Sequence, residues 1–389
     1  MPRTAFASTY APRRCGIATF TYDLATAVGD REIVALQPAD QAGSYPPEVR
    51  HRVRRDVLTD YLIAAKALDA GSAEVVSIQH EYGIWGGRDG DYVLDFVRAL
   101  RKPVVATLHT VLRRPTPHQR FVLTGLIRAS AASVVMSKSA AELLTSIYGV
   151  DPRRLDVIPH GVPELPLVNS DSVKPKLGIQ GGPVILSFGL LGPGKGLESV
   201  ISAMPAVLAA VPNARLVVLG ATHPDLVRHE GEAYRHGLQQ RASALGVAES
   251  VLFVDRFAAR AELGAWLMAA DIFVTAYPNM EQIVSGTLAY AMSAGRAVVS
   301  TPYAYATELL GHGRGKLVEP GSPDALSGAF VELLSDHDQR LALGRMAYMY
   351  TRSMVWPQVG AQYRRLFARV AVPAGARAEG ADIVGALRA

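Results

Sequence analysis

The stretch that decides the fold is Val184-Ile-Leu-Ser-Phe-Gly189-Leu-Leu-Gly-Pro-Gly194-Lys195-Gly196. An apolar strand runs into a glycine-rich turn and a lysine, and an amphipathic helix follows. This arrangement points backbone N–H groups and the positive end of a helix at one spot, which suits a diphosphate. Lys195 adds a positive point charge, so the pattern favours a phosphate site over a plain loop.

A second segment, Met280-Glu281-Gln282-Ile-Val-Ser285-Gly286-Thr287-Leu-Ala-Tyr290, places carboxylate, amide and hydroxyl groups before a predicted helix at Leu288–Ser293. Such groups suit the hydroxyls of a sugar. The simpler interpretation is a capped helix start with a favourable charge. Taken together, the two segments predict a site for a nucleotide-diphosphate sugar.

Short β-branched runs alternate with helical patterns on both sides of a stretch at 164–183 that is rich in Pro, Gly and Ser. This alternation predicts an α/β fold with two Rossmann-like domains that face an interdomain cleft. We expect an N-terminal domain at 1–163, a linker at 164–183, a C-terminal nucleotide-sugar-binding domain at 184–352, a terminal helix at 353–371 and a flexible tail at 372–389. The predicted strands are Thr4–Ser8, Ile33–Leu36, Val75–Gln79, Val104–Thr107, Ser133–Ser137, Asp156–Ile158, Val184–Phe188, Arg215–Leu219, Val251–Val254, Ile272–Thr275, Ala297–Ser300 and Gly315–Val318.

Composition indicates a well-buried, two-domain protein of 389 residues, with 49% hydrophobic and 19% charged residues. The single cysteine, Cys15, excludes an intramolecular disulfide and a cysteine-built zinc site. No apolar stretch reaches the ~18 residues that span a bilayer. We therefore expect a cytoplasmic protein.

The net charge of +5 is concentrated in the first half, where residues 1–163 hold 20 Lys and Arg against 16 Asp and Glu, a difference of +4. Basic clusters lie at Arg50–Arg55, Arg101-Lys102 and Arg113-Arg114. They form either a solvated face or a surface for anionic lipid head groups or an anionic acceptor. No nucleic-acid-reading motif accompanies them, so nucleic acid is not an expected partner.

Other candidates stand where predicted strands end, which is where ligands collect in open α/β sheets. They include Gly16 and His109, although a glycine there is often only geometric and a histidine is often a satisfied core residue. Lys195 also completes a P-loop-like pattern, but Gly196 replaces the Ser or Thr that would hold magnesium. We predict no metal site.

The chain resembles the GT-B glycosyltransferases of family 4, and within them a mannosyltransferase-like branch, over residues 4–371. The resemblance rests on collinear motifs: Arg13-Arg-Cys-Gly-Ile-Ala-Thr-Phe, Gln79-His-Glu-Tyr-Gly-Ile-Trp-Gly-Gly, Thr107-Leu-His-Thr-Val-Leu, Val157-Ile-Pro-His-Gly-Val-Pro163, Phe188-Gly-Leu with Lys195-Gly-Leu-Glu198, Gly220-Ala-Thr-His-Pro224 with Gly231-Glu-Ala-Tyr-Arg235, and Ser285-Gly-Thr-Leu-Ala-Tyr-Ala.

The resemblance implies sugar transfer with retention of configuration, without a required metal or cofactor, and with the donor held by the second domain. By similarity, Lys195 holds the diphosphate, Gly16 lies beside phosphate and acceptor, and His109 lies next to the transferred sugar. The N-terminal domain is then the acceptor side, and the helix from Trp356 returns to it.

The chain departs from the common family pattern at two places. Leu190 stands where many members carry Arg, and Gln282 and Tyr290 stand where many carry two glutamates. Glu281 supplies the lost carboxylate if the loop shifts by one residue. We therefore assign Glu281, His109 and Lys195 to catalysis. The donor-binding residues we assign are Gly16, Gly189, Gly194, Gln282, Ser285, Gly286, Thr287 and Tyr290.

The expected reaction moves a hexose, with GDP-mannose as the best candidate donor, to a hydroxyl of a glycan, a lipid-linked or a small-molecule acceptor. The alternatives are another GT-B enzyme (a UDP-sugar transferase, a phosphorylase or an epimerase) and a non-catalytic sugar-nucleotide-binding protein. A peripheral contact with the inner face of the membrane, through the basic N-terminal domain, is a further expectation.

Overall fold

The computed structural model describes residues 1–29, 31–38 and 44–371. The chain divides into two compact units. The first contains residues 1–159 together with the residues from Trp356 onward, and the second contains residues 160–355. The tail predicted at 372–389 lies outside the described residues.

The first unit is built on a seven-stranded parallel sheet with the order β3-β2-β1-β4-β5-β6-β7. In β1, β4 and β5 every residue is buried, as expected for parallel strands that are covered on both faces. The strands are β1 Thr4–Ser8, β2 Glu32–Gln37, β3 Val49–Arg54, β4 Val75–His80, β5 Val104–Leu108, β6 Ala132–Val135 and β7 Leu155–Val157. Five helices connect them: α1 Gly16–Val28, α2 Leu58–Ala70, α3 Tyr92–Ala99, α4 Pro117–Ala129 and α5 Lys138–Ser146.

Strand β3 is absent from the sequence prediction. Its sequence has an arginine at every second position with Val49, His51 and Val53 between them. Only Val53 is fully buried, because the strand lies at the edge of the sheet. The basic cluster at Arg50–Arg55 is therefore largely an edge strand, with Arg50, Arg52 and Arg54 exposed.

Several predicted strand ends differ from the structure by one residue, and the end of β6 differs by two. We expected a strand to reach Ser137, but β6 ends at Val135 and Ser137 is the N-cap of α5. Its Oγ accepts a hydrogen bond from the backbone N–H of Ala140 at 3.2 Å. A serine at this place satisfies a helix donor better than it extends a strand.

The second unit contains a six-stranded parallel sheet with the order β10-β9-β8-β11-β12-β13. Its strands are β8 Val184–Phe188, β9 Arg215–Leu219, β10 Val251–Val254, β11 Ile272–Thr275, β12 Ala297–Ser300 and β13 Lys316–Leu317. Its helices are α6 Leu197–Ala210, α7 Pro224–Glu230, α8 Ala233–Ala244, α9 Arg260–Ala269, α10 Gly286–Ser293, α11 Ala304–Leu310, α12 Pro323–Ser335 and α13 His337–Thr351. Two parallel-sheet α/β domains confirm the predicted fold class.

Both sheets reverse their strand order at the strand that opens the unit. Strand β1 lies between β2 and β4, and β8 lies between β9 and β11. Ligands of open α/β sheets bind at this topological switch point, beyond the carboxyl ends of the strands. The turns that follow β1 and β8, with Gly16 and Gly189, are therefore the two places where a site is expected.

The stretch 164–183, expected as a linker, belongs to the second unit. Buried Lys174 contacts the Asp271 carboxylate at 2.7 Å, and the Ser170 hydroxyl donates to the same carboxylate at 2.6 Å. Asp271 also accepts a hydrogen bond from the backbone N–H of Val184 at 2.7 Å. These contacts fix the stretch to the start of β8.

The terminal helix α14, Trp356–Val370, belongs to the first unit, as the resemblance implied. The Tyr363 hydroxyl contacts the Thr107 hydroxyl at 3.1 Å, and the Phe367 and Phe6 rings meet edge to face. A Cβ at Gly360 would lie 2.6 Å from the Ala27 carbonyl oxygen, so only glycine permits this approach to α1. In the described part of the chain, every helix is too short or too polar to cross a membrane.

Candidate functional site

The backbone of the turn after β8 packs closely against the segments that follow the neighbouring strands. Gly189 has φ of 130°, and its backbone N–H donates to the Leu219 carbonyl at 3.0 Å. A Cβ on Gly220 would lie 1.9 Å from the Gly189 carbonyl oxygen, and a Cβ on Gly196 would lie 1.9 Å from the Ala276 carbonyl oxygen. The turn is therefore held by direct backbone contact with the ends of β9 and β11.

The crowding at Gly196 gives a physical reason against the P-loop alternative. A magnesium-holding Ser or Thr at this position would need a Cβ where the Ala276 carbonyl lies, with φ at 66°. Gly194 differs, because a Cβ there would meet no atom within 4 Å. Gly194 therefore leaves open space beside Lys195.

Lys195 ends a short 3-10 helix at Pro193–Lys195, just before α6. Its Nζ lies 4.6 Å from the centroid of the Tyr277 ring and 3.5 Å from the Tyr277 hydroxyl. Among the described residues, both of these side-chain contacts of Lys195 are with Tyr277 and neither is with a carboxylate. A cation on an aromatic face keeps its positive charge available to an anion.

Tyr277 connects Lys195 to the second polar segment. Its hydroxyl contacts the Thr287 hydroxyl at 2.9 Å, and Thr287 contacts the Ser285 hydroxyl at 3.0 Å. Ser285 is the N-cap of α10 and accepts from the Leu288 backbone N–H at 3.3 Å. A Cβ at Gly189 would lie 3.5 Å from the Thr287 methyl, so the two segments predicted to act together lie side by side.

The electrostatics of Tyr277 agree with this contact. Burial by itself would raise the pKa of the phenol, but the Lys195 ammonium and hydrogen bonds with Thr287 and Ser285 hold the pKa below its ordinary value. Tyr303 stacks on the Tyr277 ring with centroids 5.0 Å apart. Stacking on Tyr303 thus fixes the Tyr277 ring, and the Lys195 ammonium lies over that ring.

Other predicted residues of α10 line a neighbouring aromatic cluster. The Tyr290 ring lies 6.0 Å from the ring of buried His160 and 6.5 Å from Phe188. A Cβ at Gly286 would lie 2.9 Å from His160 Nε2, so α10 begins against this histidine. Burial lowers the pKa of His160 to about 4 and keeps it neutral. The helix starts at Gly286 rather than at Leu288, as Ser285 provides the cap.

Gln282 and Glu281 lie in the loop before α10. The Gln282 side chain donates from Nε2 to the Val284 carbonyl at 2.9 Å, so its amide shapes the loop. The Glu281 backbone N–H donates to the Asn279 side chain at 3.0 Å. Both side chains are half-buried. Both residues belong to the loop that leads to the Ser285 cap, and their roles remain predictions.

Gly16 and His109 belong to the first unit. Gly16 begins α1 behind the N-cap Cys15, and a Cβ there would meet no atom within 4 Å. His109 follows β5, its Nε2 lies 2.9 Å from Gln79 Oε1, and its ring meets the Phe20 ring edge at 4.9 Å. Gln79 and Phe20 thus fix the orientation of the imidazole.

Two neighbours of His109 carry shifted pKa values. His80 is fully buried, and burial lowers its pKa to about 4. Burial raises the pKa of Glu81, although its carboxylate accepts a hydrogen bond from the Thr110 hydroxyl. Perturbed groups at the carboxyl ends of β4 and β5 are typical of functional sites.

The sequence interpretation missed Tyr277 and Gln79. Tyr277 follows β11 by two residues and Gln79 lies at the end of β4, so the rule that ligands collect at the carboxyl ends of strands applied to both. Among the described residues, no group of three or more His, Cys, Asp or Glu side chains is placed to hold a metal ion.

Comparison with known proteins identifies the family. A model of Glycosyltransferase Family 4 matches residues 15–164, and a model of Glycosyl transferases group 1 matches residues 182–336. The D-inositol 3-phosphate glycosyltransferase of Segniliparus rotundus is 27% identical over 72% of this chain and 63% of its own length. A GDP-mannose-dependent monoacylated alpha-(1-6)-phosphatidylinositol monomannoside mannosyltransferase of Corynebacterium glutamicum is 26% identical over 86% of this chain and 89% of its own length.

The fold is also found among solved structures. Anabaena Alr3699/HepE in complex with UDP and glucose superposes with a TM-score of 0.75, covering 95% of this chain and 100% of that chain at 16% identity. The chain spans 63% to 66% of the length of the D-inositol 3-phosphate glycosyltransferases it resembles. With one family model on each unit and this fold, the chain belongs to the GT-B glycosyltransferases of family 4.

Proposed function

We propose that this chain is a retaining, metal-independent glycosyltransferase that moves a hexose from a nucleotide-sugar donor to an acceptor hydroxyl in glycan or glycoconjugate synthesis. GDP-mannose is the proposed donor. The names of two relatives support mannose: the GDP-mannose-dependent enzyme of Corynebacterium glutamicum and a phosphatidyl-myo-inositol mannosyltransferase of Propionibacterium freudenreichii, which is 29% identical over 67% of this chain.

One observation carries the proposal: the continuous contact from Lys195 through Tyr277 to Thr287, which lies against Gly189. A lysine that has no acidic partner among the described residues, crowded glycine backbone and the start of α6 meet there. This combination matches a diphosphate, since each element stabilises negative charge.

These groups also suit the chemistry of transfer. When the bond between the sugar C1 and the phosphate oxygen breaks, the nucleoside diphosphate gains negative charge, which Lys195 and the positive end of α6 stabilise. We propose that this stabilisation replaces a metal. The acceptor oxygen then bonds C1 on the same face, and its proton passes to the departing phosphate, so the anomeric configuration is retained.

The first unit is the proposed acceptor side. His109, held by Gln79 and Phe20, is proposed to lie next to the transferred sugar, as in the family. Glu281 and Gln282 are proposed to bind sugar hydroxyls. Because Tyr290 has a single hydroxyl, it offers the donor ribose one hydrogen bond rather than the two that a carboxylate accepts.

The test is turnover with purified protein, GDP-mannose and a panel of glycan, lipid-linked and small-molecule acceptors. Release of GDP should depend on acceptor, and proton NMR should show an α-linked product. EDTA should leave the rate unchanged. Lys195→Ala should lower kcat/KM by about 100-fold or more, the effect of removing a charge-assisted contact to the transition state. Lys176→Ala, an exposed lysine of the same unit, should change it less than about twofold.

Three results would contradict the proposal. Release of GDP without acceptor would indicate hydrolysis or another GT-B chemistry. An inverted product would exclude retention. Tight donor binding with no turnover on any acceptor would indicate a sugar-nucleotide-binding protein, the alternative that Leu190 and Tyr290 suggest.

A further inference from the structure

We propose that the first unit carries an anion site, formed by Arg13, Arg52 and Tyr45, that binds a phosphoryl group on the acceptor. The inference rests on the proposed function, because it names the chemical class of the acceptor. It does not involve the donor residues of the second unit.

The three residues come together at the carboxyl edge of the first sheet. In the strand register Ser8, the last residue of β1, pairs with Ala35, and Ala35 pairs with Arg52. Arg13 lies in the turn after β1, where its backbone N–H donates to the Tyr10 carbonyl at 3.0 Å. Arg13 and Arg52 therefore lie toward the same edge of the sheet as Gly16, on the side of β2 and β3.

Tyr45 is the centre of the cluster. The Arg52 guanidinium lies over its ring, 5.1 Å from the centroid. Burial raises the pKa of Tyr45, while the charges of Arg52 and Arg13 act on the phenol in the opposite direction. Both guanidinium groups therefore lie close enough to the phenol for their charges to act on its pKa.

The cluster contains polar atoms without partners. The Nη1 atom of Arg13 and the hydroxyl of Tyr45 are both buried, and neither makes a hydrogen bond with a described residue. Within the described ranges neither Arg13 nor Arg52 has a carboxylate partner. The nearby Glu48 carboxylate accepts from the Tyr10 hydroxyl at 3.1 Å. A buried donor without an acceptor is destabilising, so a ligand that supplies acceptor oxygens is favoured.

The chemistry of the cluster selects the ligand. Two guanidinium groups and a phenol all offer hydrogen-bond donors, which an oxyanion can accept. The planar guanidinium of arginine also matches the geometry of phosphate. A neutral sugar hydroxyl would not offset two adjacent positive charges. Since the donor diphosphate is assigned to Lys195, this second anion belongs to the acceptor, either as a soluble phosphorylated sugar or polyol or as a phospholipid head group.

The experiment uses the full chain with GDP at saturation, so that the donor site is occupied. Isothermal titration with glucose 6-phosphate and glycerol 3-phosphate is compared with glucose and glycerol. Flotation with phosphatidylinositol vesicles is compared with phosphatidylcholine vesicles. Arg13→Gln and Arg52→Gln should weaken binding of the phosphorylated probe about tenfold or more, and Tyr45→Phe should weaken it by a smaller factor.

Arg14→Gln is the matched control, since Arg14 is exposed and adjacent in sequence. It should bind like the unmodified chain. Arg52 is exposed on an edge strand, so its variant remains informative if Arg13→Gln does not fold. Loss confined to soluble phosphates assigns a soluble acceptor, and loss confined to vesicles assigns a lipid.

Equal binding of neutral and phosphorylated probes would overturn the proposal, as would unchanged binding in Arg13→Gln and Arg52→Gln, or no binding of any phosphorylated probe. The titration with GDP tests the proposed donor function separately from the anion site. If GDP fails to bind while the phosphorylated probe binds and depends on Arg13, the proposed donor function fails and the anion site stands.

Discussion

The turn after β1 and the turn after β8 occupy the same topological position in two similar sheets, yet they are built differently. Around Gly189 the backbone is so crowded that Gly220 and Gly196 each exclude a Cβ. Around Gly16 a Cβ would meet nothing within 4 Å. One fold therefore combines a constrained glycine turn, which is the proposed diphosphate site, with an open turn that has arginine side chains beside it.

The largest expected effect tests that difference directly. Gly196→Ala should lower the free energy of unfolding by about 3 kcal/mol, because it places a Cβ on the Ala276 carbonyl at positive φ. Gly16→Ala should change it by less than about 0.5 kcal/mol. Urea unfolding followed by circular dichroism measures both. Equal costs would mean that the two turns are equally constrained.

The next effect is a decrease in the free energy of unfolding at acidic pH, which we expect to be similar in the two units. His80 in the first unit and His160 in the second have folded-state pKa values of about 4, below the ordinary 6.5. The unfolded chain therefore binds protons first as the pH falls, so stability is full above pH 6.5 and is lost between pH 6.5 and 4.

Each histidine should contribute at most about 3 kcal/mol to this loss. Urea midpoints at pH 7.5, 6 and 5 measure it, and His80→Leu should flatten the dependence of the first unit. A midpoint that does not fall with pH in the unmodified chain would show that these imidazoles are not held neutral.

A smaller effect distinguishes the contribution of the Tyr277 ring from that of its hydroxyl. Tyr277→Leu removes both the ring under Lys195 and the hydroxyl that contacts Thr287, so GDP should bind about tenfold more weakly. Tyr277→Phe keeps the ring and should cost about threefold. Isothermal titration measures both. Wild-type affinity in Tyr277→Leu would show that Lys195 does not depend on this ring.

The smallest effect lies in the first unit. Gln79→Leu removes the partner of His109 Nε2 and should lower kcat about fivefold, while leaving GDP affinity unchanged. Steady-state kinetics and a GDP titration on the same preparation distinguish the two parameters. A parallel loss of GDP binding would place Gln79 on the donor side and break the division between the units.

The fold was largely predictable from the sequence, because buried parallel strands have short apolar sequences and most of them are followed by a helical pattern. Strand β3 was not, since an edge strand keeps its basic side chains in water and does not read as apolar. The stretch 164–183 was also misleading. Its residues Ser170 and Lys174 contact Asp271, and a contact with a residue so distant in sequence cannot be predicted from local composition.

The candidate site was predictable where glycine, lysine and hydroxyl residues are local in sequence. Gly189, Lys195, Ser285 and Thr287 do meet. Tyr277, which connects them, could not be distinguished from other aromatic residues in the sequence, because only the fold brings β8 and β11 side by side. The Arg13 and Tyr45 cluster was hidden for the same reason, as its members come from separate connections.

The most direct test of the central claim is isothermal titration of the unmodified chain and Lys195→Ala with GDP, UDP, ADP and their hexose conjugates. We predict one clear preference, for GDP-mannose, and its loss in Lys195→Ala but not in Lys176→Ala. No binding of any of these ligands, or equal binding by Lys195→Ala, would contradict the diphosphate site at Gly189–Lys195 and the function built on it.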